Sequence, residues 1–427
     1  MIARRSASIV VAVVMTACTI TLGSDTDGAR SPDPSPSPVP TGPGSSAAAM
    51  KTLCQGPKPG HGSGIASEGP TSPQIATVEH QVESVRELKY TSHVDAQPIT
   101  KAQMDRRITK SFDKTEPVDQ LARRSQVWST IGVIPAGSSI RDALLQFQTG
   151  QVVGFYNPTN KKLVYIGDEE LSLNERFILA HELTHAIDDQ HFGLSRLDPL
   201  AAHCQDEAFT AALGAVEGSA QFFATQVITR FPQSVSAGGS SSAGSLDGVP
   251  PFIVNQELWP YTAGQAFIQR LDEQGGTALL NEALTTFPVS TEQIIHPERW
   301  PNDTPRSLDI QDLGPVLGAA WKDLDVMQVG ELWLQQLLVL RLGESQADEA
   351  TTGWDGGLYR AWTNGSQTAI VLRTVWDTPR DAQEFADAMR VWAGSQDASV
   401  SDPVGSQVDV LFASDGATLA ALQTASV

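Results

Sequence analysis

The sequence predicts an α+β fold, with helices and a mixed or antiparallel sheet in separate stretches of the chain. Three observations lead to it. Residues 151–167, QVVGFYNPTNKKLVYIG, read as two strands, 151–156 and 161–166, around a turn at 157–160. Residues 173–190 then carry apolar side chains without strand alternation, and Ser172 with Glu175 just ahead makes a capping box, so a helix starts near Leu173. Further on, LYRAWTNGSQTAIVLRTVW places Asn364-Gly365 between two strand-like runs, a hairpin signal, and Thr378 with Pro379 starts a helix to about Val391.

From the start of the chain, Arg4 and Arg5 precede a short apolar run, residues 9–17, too short to cross a bilayer. Residues 1–17 therefore read as an export signal. Met15-Thr16-Ala17-Cys18 resembles a bacterial lipobox, which implies cleavage before Cys18 and a lipid on it, hence attachment to the outer face of the cell membrane. Residues 24–49 are rich in proline and serine with nothing to bury, so residues 18–50 read as the lipidated cysteine and a tether. In polyproline II such a tether extends at about 3.1 Å per residue. With Cys18 taken, Cys54 and Cys204 are left of 3 cysteines, and an even pair in an exported chain is expected to bridge.

Charge and hydropathy bound the rest. Lys and Arg number 29 against 49 Asp and Glu, a formal charge of -20, which leaves no electrostatic footprint for nucleic acid or anionic head groups. Membrane contact is then expected from the lipid alone. A hydrophobic share of 41% suits a real core, and the roughly 370 residues beyond the tether suit one large domain or two intimately packed ones. The expected division is an N-terminal region at 51–150, a core at 151–300 and a C-terminal α+β region at 301–427, mainly helical with a small hairpin. Residues 234–251, SVSAGGSSSAGSLDGVPP, read as an insert forming a surface loop.

The chemistry concentrates in FILAHELTHAIDDQHFGL, residues 177–194. On a helix His181 and His185 lie one turn apart on one face, with Glu182 beside the first, among apolar side chains that leave little face for water. Buried without partners, these groups would cost several kcal/mol, roughly. The pattern His-Glu-x-x-His removes the difficulty by offering two nitrogens to Zn²⁺ and a carboxylate able to deprotonate an attacking water. A catalytic zinc needs a third protein ligand. His191 has the spacing of one known arrangement, but that requires the helix to stop at a left-handed residue, and no glycine occurs before Gly193. A second helix, expected from Asp206, offers Glu217 between Gly214 and Gly218, small residues that admit a neighbouring helix. Glu207 competes from a more polar setting near the helix start, and Glu217 is the preferred ligand.

HELTHAIDDQHF, followed by AVEGSA and STEQIIHPERW, resembles the gluzincin branch of zinc metallopeptidases, and most of all a group of exported bacterial metallopeptidase-like lipoproteins. The HELTHA core is similar to that of thermolysin-type peptidases. The resemblance covers residues 151–300 and implies a zincin-like fold with His181, His185 and Glu217 as ligands and Glu182 as general base. It also implies that a sheet edge above the active-site helix pairs with extended substrate, a duty open to one of the strands in 151–166, although a plain scaffold hairpin reads equally well. The sequence departs from the thermolysin-like pattern at one point. An aspartate is expected four residues after the glutamate ligand, and Gln221 stands there, so a histidine-orienting carboxylate is sought in Asp188 or Asp189.

These observations lead to an expected zinc peptidase acting on peptide or protein substrates outside the membrane, with Tyr261 or His296 as donor to the developing oxyanion. The competing expectation is a binding or scaffolding lipoprotein whose zinc is structural. Glu182 separates them, since a structural metal has no use for a carboxylate beside its first histidine.

Overall fold

A computed structural model describes residues 44–55, 72–115, 117–158, 160–167, 171–232 and 244–426; the expected signal, Cys18 and most of the tether lie outside them. The end of the tether is folded rather than extended. Helix α1 (Ser46–Leu53) starts where Ser45 accepts from the Ala48 N–H, and Ala49 is buried with Ile310, Leu358 and Trp362 of the C-terminal region. Pro/Ser-rich composition thus gives way to a helix as soon as alanine supplies an apolar face.

Helix α2 (Pro73–Arg86) follows a Ser72 cap with proline in its first turn, and buries Ile75, Val78, Val82 and Val85 at helical spacing. Strand β1 (Asp95–Ile99) leads to helices α3 (Lys101–Thr115), α4 (Val118–Ile131) and α5 (Ile140–Gln151). Strands β2 (Gly154–Asn157) and β3 (Lys162–Ile166) come next. The first expected strand starts three residues late because Gln151 still belongs to α5. The expected hairpin is there, antiparallel, but β1 joins it in parallel on the far side of β3, giving the order β1-β3-β2. Pro98 hides β1 in the sequence, and an edge strand is where a proline is tolerated.

The long helices form the inner layer. Helix α6 (Leu173–Phe192) starts at the Ser172–Glu175 capping box and runs to the left-handed Gly193 at φ 70°. A 3₁₀ turn (Leu194–Leu197) and the short α7 (Asp198–Ala202) return the chain to α8 (Asp206–Arg230), and α9 (Pro251–Thr285) packs along α8. One apolar cluster joins α2, α6, α8 and α9 through Val82, Leu183, Ala215 and Phe267. The described end of the insert is docked, with the Gly244 N–H donating to the Gly150 carbonyl. The disulfide Cys54–Cys204 fastens the end of α1 to the turn ahead of α8, with Cα atoms 5.9 Å apart.

After α10 (Thr291–Ile295) and α11 (Gly314–Leu317), the C-terminal region corrects the expectation of a small hairpin among helices. It contains β4 (Lys322–Gln328), α12 (Glu331–Leu342), α13 (Glu344–Thr351), β5 (Trp354–Thr363), β6 (Thr368–Trp376), α14 (Pro379–Ala393), β7 (Ala398–Val400), β8 (Gln407–Ala413) and α15 (Gly416–Ala425). The five strands form one antiparallel sheet in the order β4-β5-β6-β8-β7. The Asn364-Gly365 hairpin and the helix from Pro379 stand as expected. Strands β4 and β8 are hidden in the sequence because aspartates interrupt their apolar pattern. Each of those acids has an arginine: Asp323 with Arg360 at 2.8 Å, Asp325 with Arg124 at 3.2 Å, and Asp409 with Arg373 at 2.6 Å.

Candidate metal centre

Helix α6 presents His181 and His185 on one face, their rings 4.6 Å apart between centroids and their Nε2 atoms 3.0 Å apart. Helix α8 brings Glu217 to the same point, with Oε2 at 3.2 Å from each Nε2. Among the described residues, these three form a group able to hold a metal ion. The glycines beside Glu217 serve another contact than the one expected. A Cβ on Gly218 would overlap the backbone of Gly264, and one on Gly264 the carbonyl of Gly214, so the close approach is between α8 and α9. Glu217 lies about 100° round the helix from Gly218 and points to α6 instead.

The donor set suits a cation. Burial lowers the pKa of His185 to about 4 and depresses that of His181, so at neutral pH both imidazoles are uncharged and no His⁺–carboxylate pair holds the cluster. Burial also raises the Glu217 carboxyl, against the hydrogen bond from His181. Each neutral imidazole thus has one lone pair to offer beside the carboxylate in a place closed to water, and Glu217 Oε1 is buried without a partner. A tetrahedral ion with metal–ligand distances of about 2.0–2.1 Å spaces its ligand atoms by about 3.3 Å. The observed separations of 3.0, 3.2 and 3.2 Å come close to that without rearrangement.

Glu182 has 0% exposure and lies directly beneath β2. A Cβ on Gly154 would fall 3.1 Å from Glu182 Cγ and 3.2 Å from its Oε1, so glycine at 154 is what lets the strand lie over this carboxylate. Gly154 went unnoticed in the sequence, although a lone glycine in a strand-like run is a signal of close approach. Tyr261 of α9 is also at the centre, its ring 6.1 Å from that of His181 and tilted 30° to it.

Other candidates are engaged elsewhere. His296 follows α10 and bonds Glu331 Oε1 of α12 at 3.0 Å, a bond that raises its pKa. His191 lies inside α6 and contacts the Lys89 carbonyl at 2.7 Å, so it is no ligand. Glu207 is buried in a polar setting and accepts from the Thr291 amide and hydroxyl. Neither aspartate considered as an orienting group bonds a histidine. Asp188 accepts from Arg86 Nε and Ser219 Oγ, both at 2.7 Å, and Asp189 from Tyr156 Oη, Lys161 Nζ and the Leu194 amide. These bonds brace α6 against α2, α8 and the hairpin.

Residues 320–424 match a family described as a domain of unknown function, DUF8575. That span is the C-terminal sheet with α12–α15; the candidate metal cluster lies outside it. No curated protein and no solved structure matches the chain. No described helix is long and apolar enough to cross a membrane.

Proposed function

We propose that this chain is a zinc-dependent peptidase of zincin-like fold, attached through a lipid on Cys18 to the outer face of the cell membrane and acting on peptide or protein substrates. The observation that carries the reading is the convergence of His181, His185 and Glu217 with Glu182 one residue from the first ligand. Zinc bound by those three side chains would supply a Lewis acid that lowers the pKa of water towards about 7 and polarises the scissile carbonyl. Glu182 takes the proton of the attacking water and delivers it to the leaving amine, a duty that fits its place beside the ligands. Tyr261 is the donor of choice for the developing oxyanion, since it borders His181 whereas His296 is engaged by Glu331. Strand β2, the outer strand of its sheet and the one over Glu182, is the edge on which an extended substrate would add.

One observation favours a second reading, a binding lipoprotein with a structural metal. His181, Glu182 and Glu217 each have 0% exposure, so substrate reaches them only when the surrounding structure moves. A peptide-library cleavage assay with added zinc, comparing wild type with Glu182→Gln, decides between the two. Cleavage by wild type, lost in a variant that keeps its zinc, is the expected result. A wild type that cuts nothing, or a variant that cuts equally well, leaves the binding module as the better account.

A further inference from the structure

We propose that Ser219 is a positioning residue for the metal centre: by donating to Asp188 it holds α8 against α6 at the separation that brings Glu217 to the two histidines. This rests on the metal-centre reading above. Ser219 Oγ lies 2.7 Å from Asp188 Oδ2, and Arg86 Nε of α2 lies 2.7 Å from Oδ1 of the same carboxylate. All three side chains are buried. One carboxylate therefore ties the helix of the histidines to the helix of the glutamate, with its countercharge supplied from a third helix. Asp188 stands three residues after His185 and Ser219 two after Glu217, so the tie lies only about 3–5 Å further along each helix than the ligand it serves.

The geometry of α8 gives this bond its leverage. Successive residues stand about 100° apart round a helix, and Gly218 faces α9, where a Cβ would overlap Gly264. Glu217 and Ser219, one on either side of Gly218, therefore flank the opposite face, the one turned to α6. Glu217 reaches α6 at the histidines from one flank, and Ser219 reaches it at Asp188 from the other. Gripped on both flanks, α8 can neither roll nor slide over α6 without breaking a buried bond to a carboxylate. Asp189 makes a brace of another kind, to Tyr156 and Lys161 of the hairpin, which fixes α6 to the sheet and not to α8. A metal ion binds more tightly to ligands that folding has already drawn together. Without the Ser219 hydroxyl, α8 is free to shift in the metal-free chain, and ion binding has to restore the spacing.

The test compares wild type, Ser219→Ala and Tyr156→Phe as purified full chains in detergent. Zinc affinity is read by competition with a chromophoric chelator, and denaturant midpoints are taken with and without zinc. Each substitution deletes one hydroxyl that donates to a buried aspartate of α6, but Ser219 lies on the ligand helix and Tyr156 on the hairpin. Ser219→Ala should weaken zinc binding by about ten-fold, the low end of what outer partners of a metal site contribute. Its midpoint should also fall further below wild type with zinc than without, because lost affinity is lost stability of the bound form. Tyr156→Phe should lower both midpoints alike and keep the wild-type affinity. Zinc held as tightly by Ser219→Ala as by wild type, or weakened equally in the two variants, overturns the positioning role while the metal centre stands. A wild type that binds no zinc refutes the metal centre, and the positioning role falls with it.

Discussion

Helix α8 buries two glutamates ten residues, or about 15 Å, apart, and they meet opposite surroundings. Glu207 faces donors: the amide and hydroxyl of Thr291, with Gly330 so close that a Cβ there would overlap the carboxylate. Around it Glu331 takes His296, and Arg299 sits against Glu292, Asp303 and Asp377. Glu217 faces two uncharged imidazoles, His181 and His185, with neither a backbone amide nor a hydroxyl bonded to its carboxylate among the described residues. Donors set against acceptors close a junction between helices. Uncharged ring nitrogens set against a carboxylate suit a cation. Burial of a carboxylate is common to both sites, and it is the identity of the facing atoms that separates architecture from chemistry.

The largest effect that sharpens this comparison is on metal content. Wild type should hold one zinc per chain, and Glu217→Ala should lose it together with all cleavage. Glu207→Ala and His191→Ala should keep it, although Glu207→Ala leaves the Thr291 amide and hydroxyl unpaired and should lose about 1–3 kcal/mol of stability. Elemental analysis beside denaturant titration reads both quantities. Zinc retained by Glu217→Ala and lost from either other variant would reverse the assignment of the two glutamates. Next in size is Glu182→Gln, which should keep zinc and cut peptides about 10²- to 10⁴-fold more slowly, the usual contribution of a positioned base.

A smaller effect belongs to the donor-matched site. Glu331→Ala leaves His296 without its carboxylate partner, and because His296 is partly exposed the cost should be about 1–2 kcal/mol, seen as a lower denaturation midpoint with zinc content unchanged. Zinc loss in this variant would mean that the two sites are coupled and that the separation drawn above is wrong.

The same contrast explains how far the sequence could be read. Helix α6 was legible to its first residue because a capping box, an apolar surface on all sides and polar residues at one-turn spacing agree with one another. The sequence signal at Glu217 is incomplete: small residues beside it do admit a helix, but a one-dimensional pattern does not say which, and the helix admitted is α9. Pairings across long stretches stayed hidden. Nothing local tells His296 that its partner is Glu331, 35 residues on, or tells β4 and β8 that their aspartates will meet arginines. Such pairs make a strand read as a polar loop, and so the five-stranded sheet was seen only as its central hairpin. Pro98 concealed β1 in the same way, by breaking a local rule that its edge position permits.

The smallest expected effect is a dependence of stability on pH, and its sign follows from the donor-matched site. Burial raises the Glu207 carboxyl to about 7, even though Thr291 donates to it, and raises that of Glu292 to about 9 despite Arg299. The His296 imidazole is raised as well, by its bond to Glu331. In each case the folded chain holds a proton that the unfolded chain releases at lower pH, near 4.5 for the two glutamates. The stabilising contribution is therefore complete below that point and declines as pH climbs towards about 7 for Glu207 and about 9 for Glu292. Protein stripped of metal should show denaturant midpoints that fall between about pH 7 and 8.5, above the range in which the unfolded chain protonates His181 and His185 while burial keeps them neutral in the folded one. Glu292→Gln, which removes one titrating group while keeping a side chain of the same shape near Arg299, should flatten the upper part of that slope. A midpoint that rises with pH, or a slope untouched by the substitution, would show that these carboxyls are already ionised in the folded protein and that the junction is held by charge pairs rather than by shared protons.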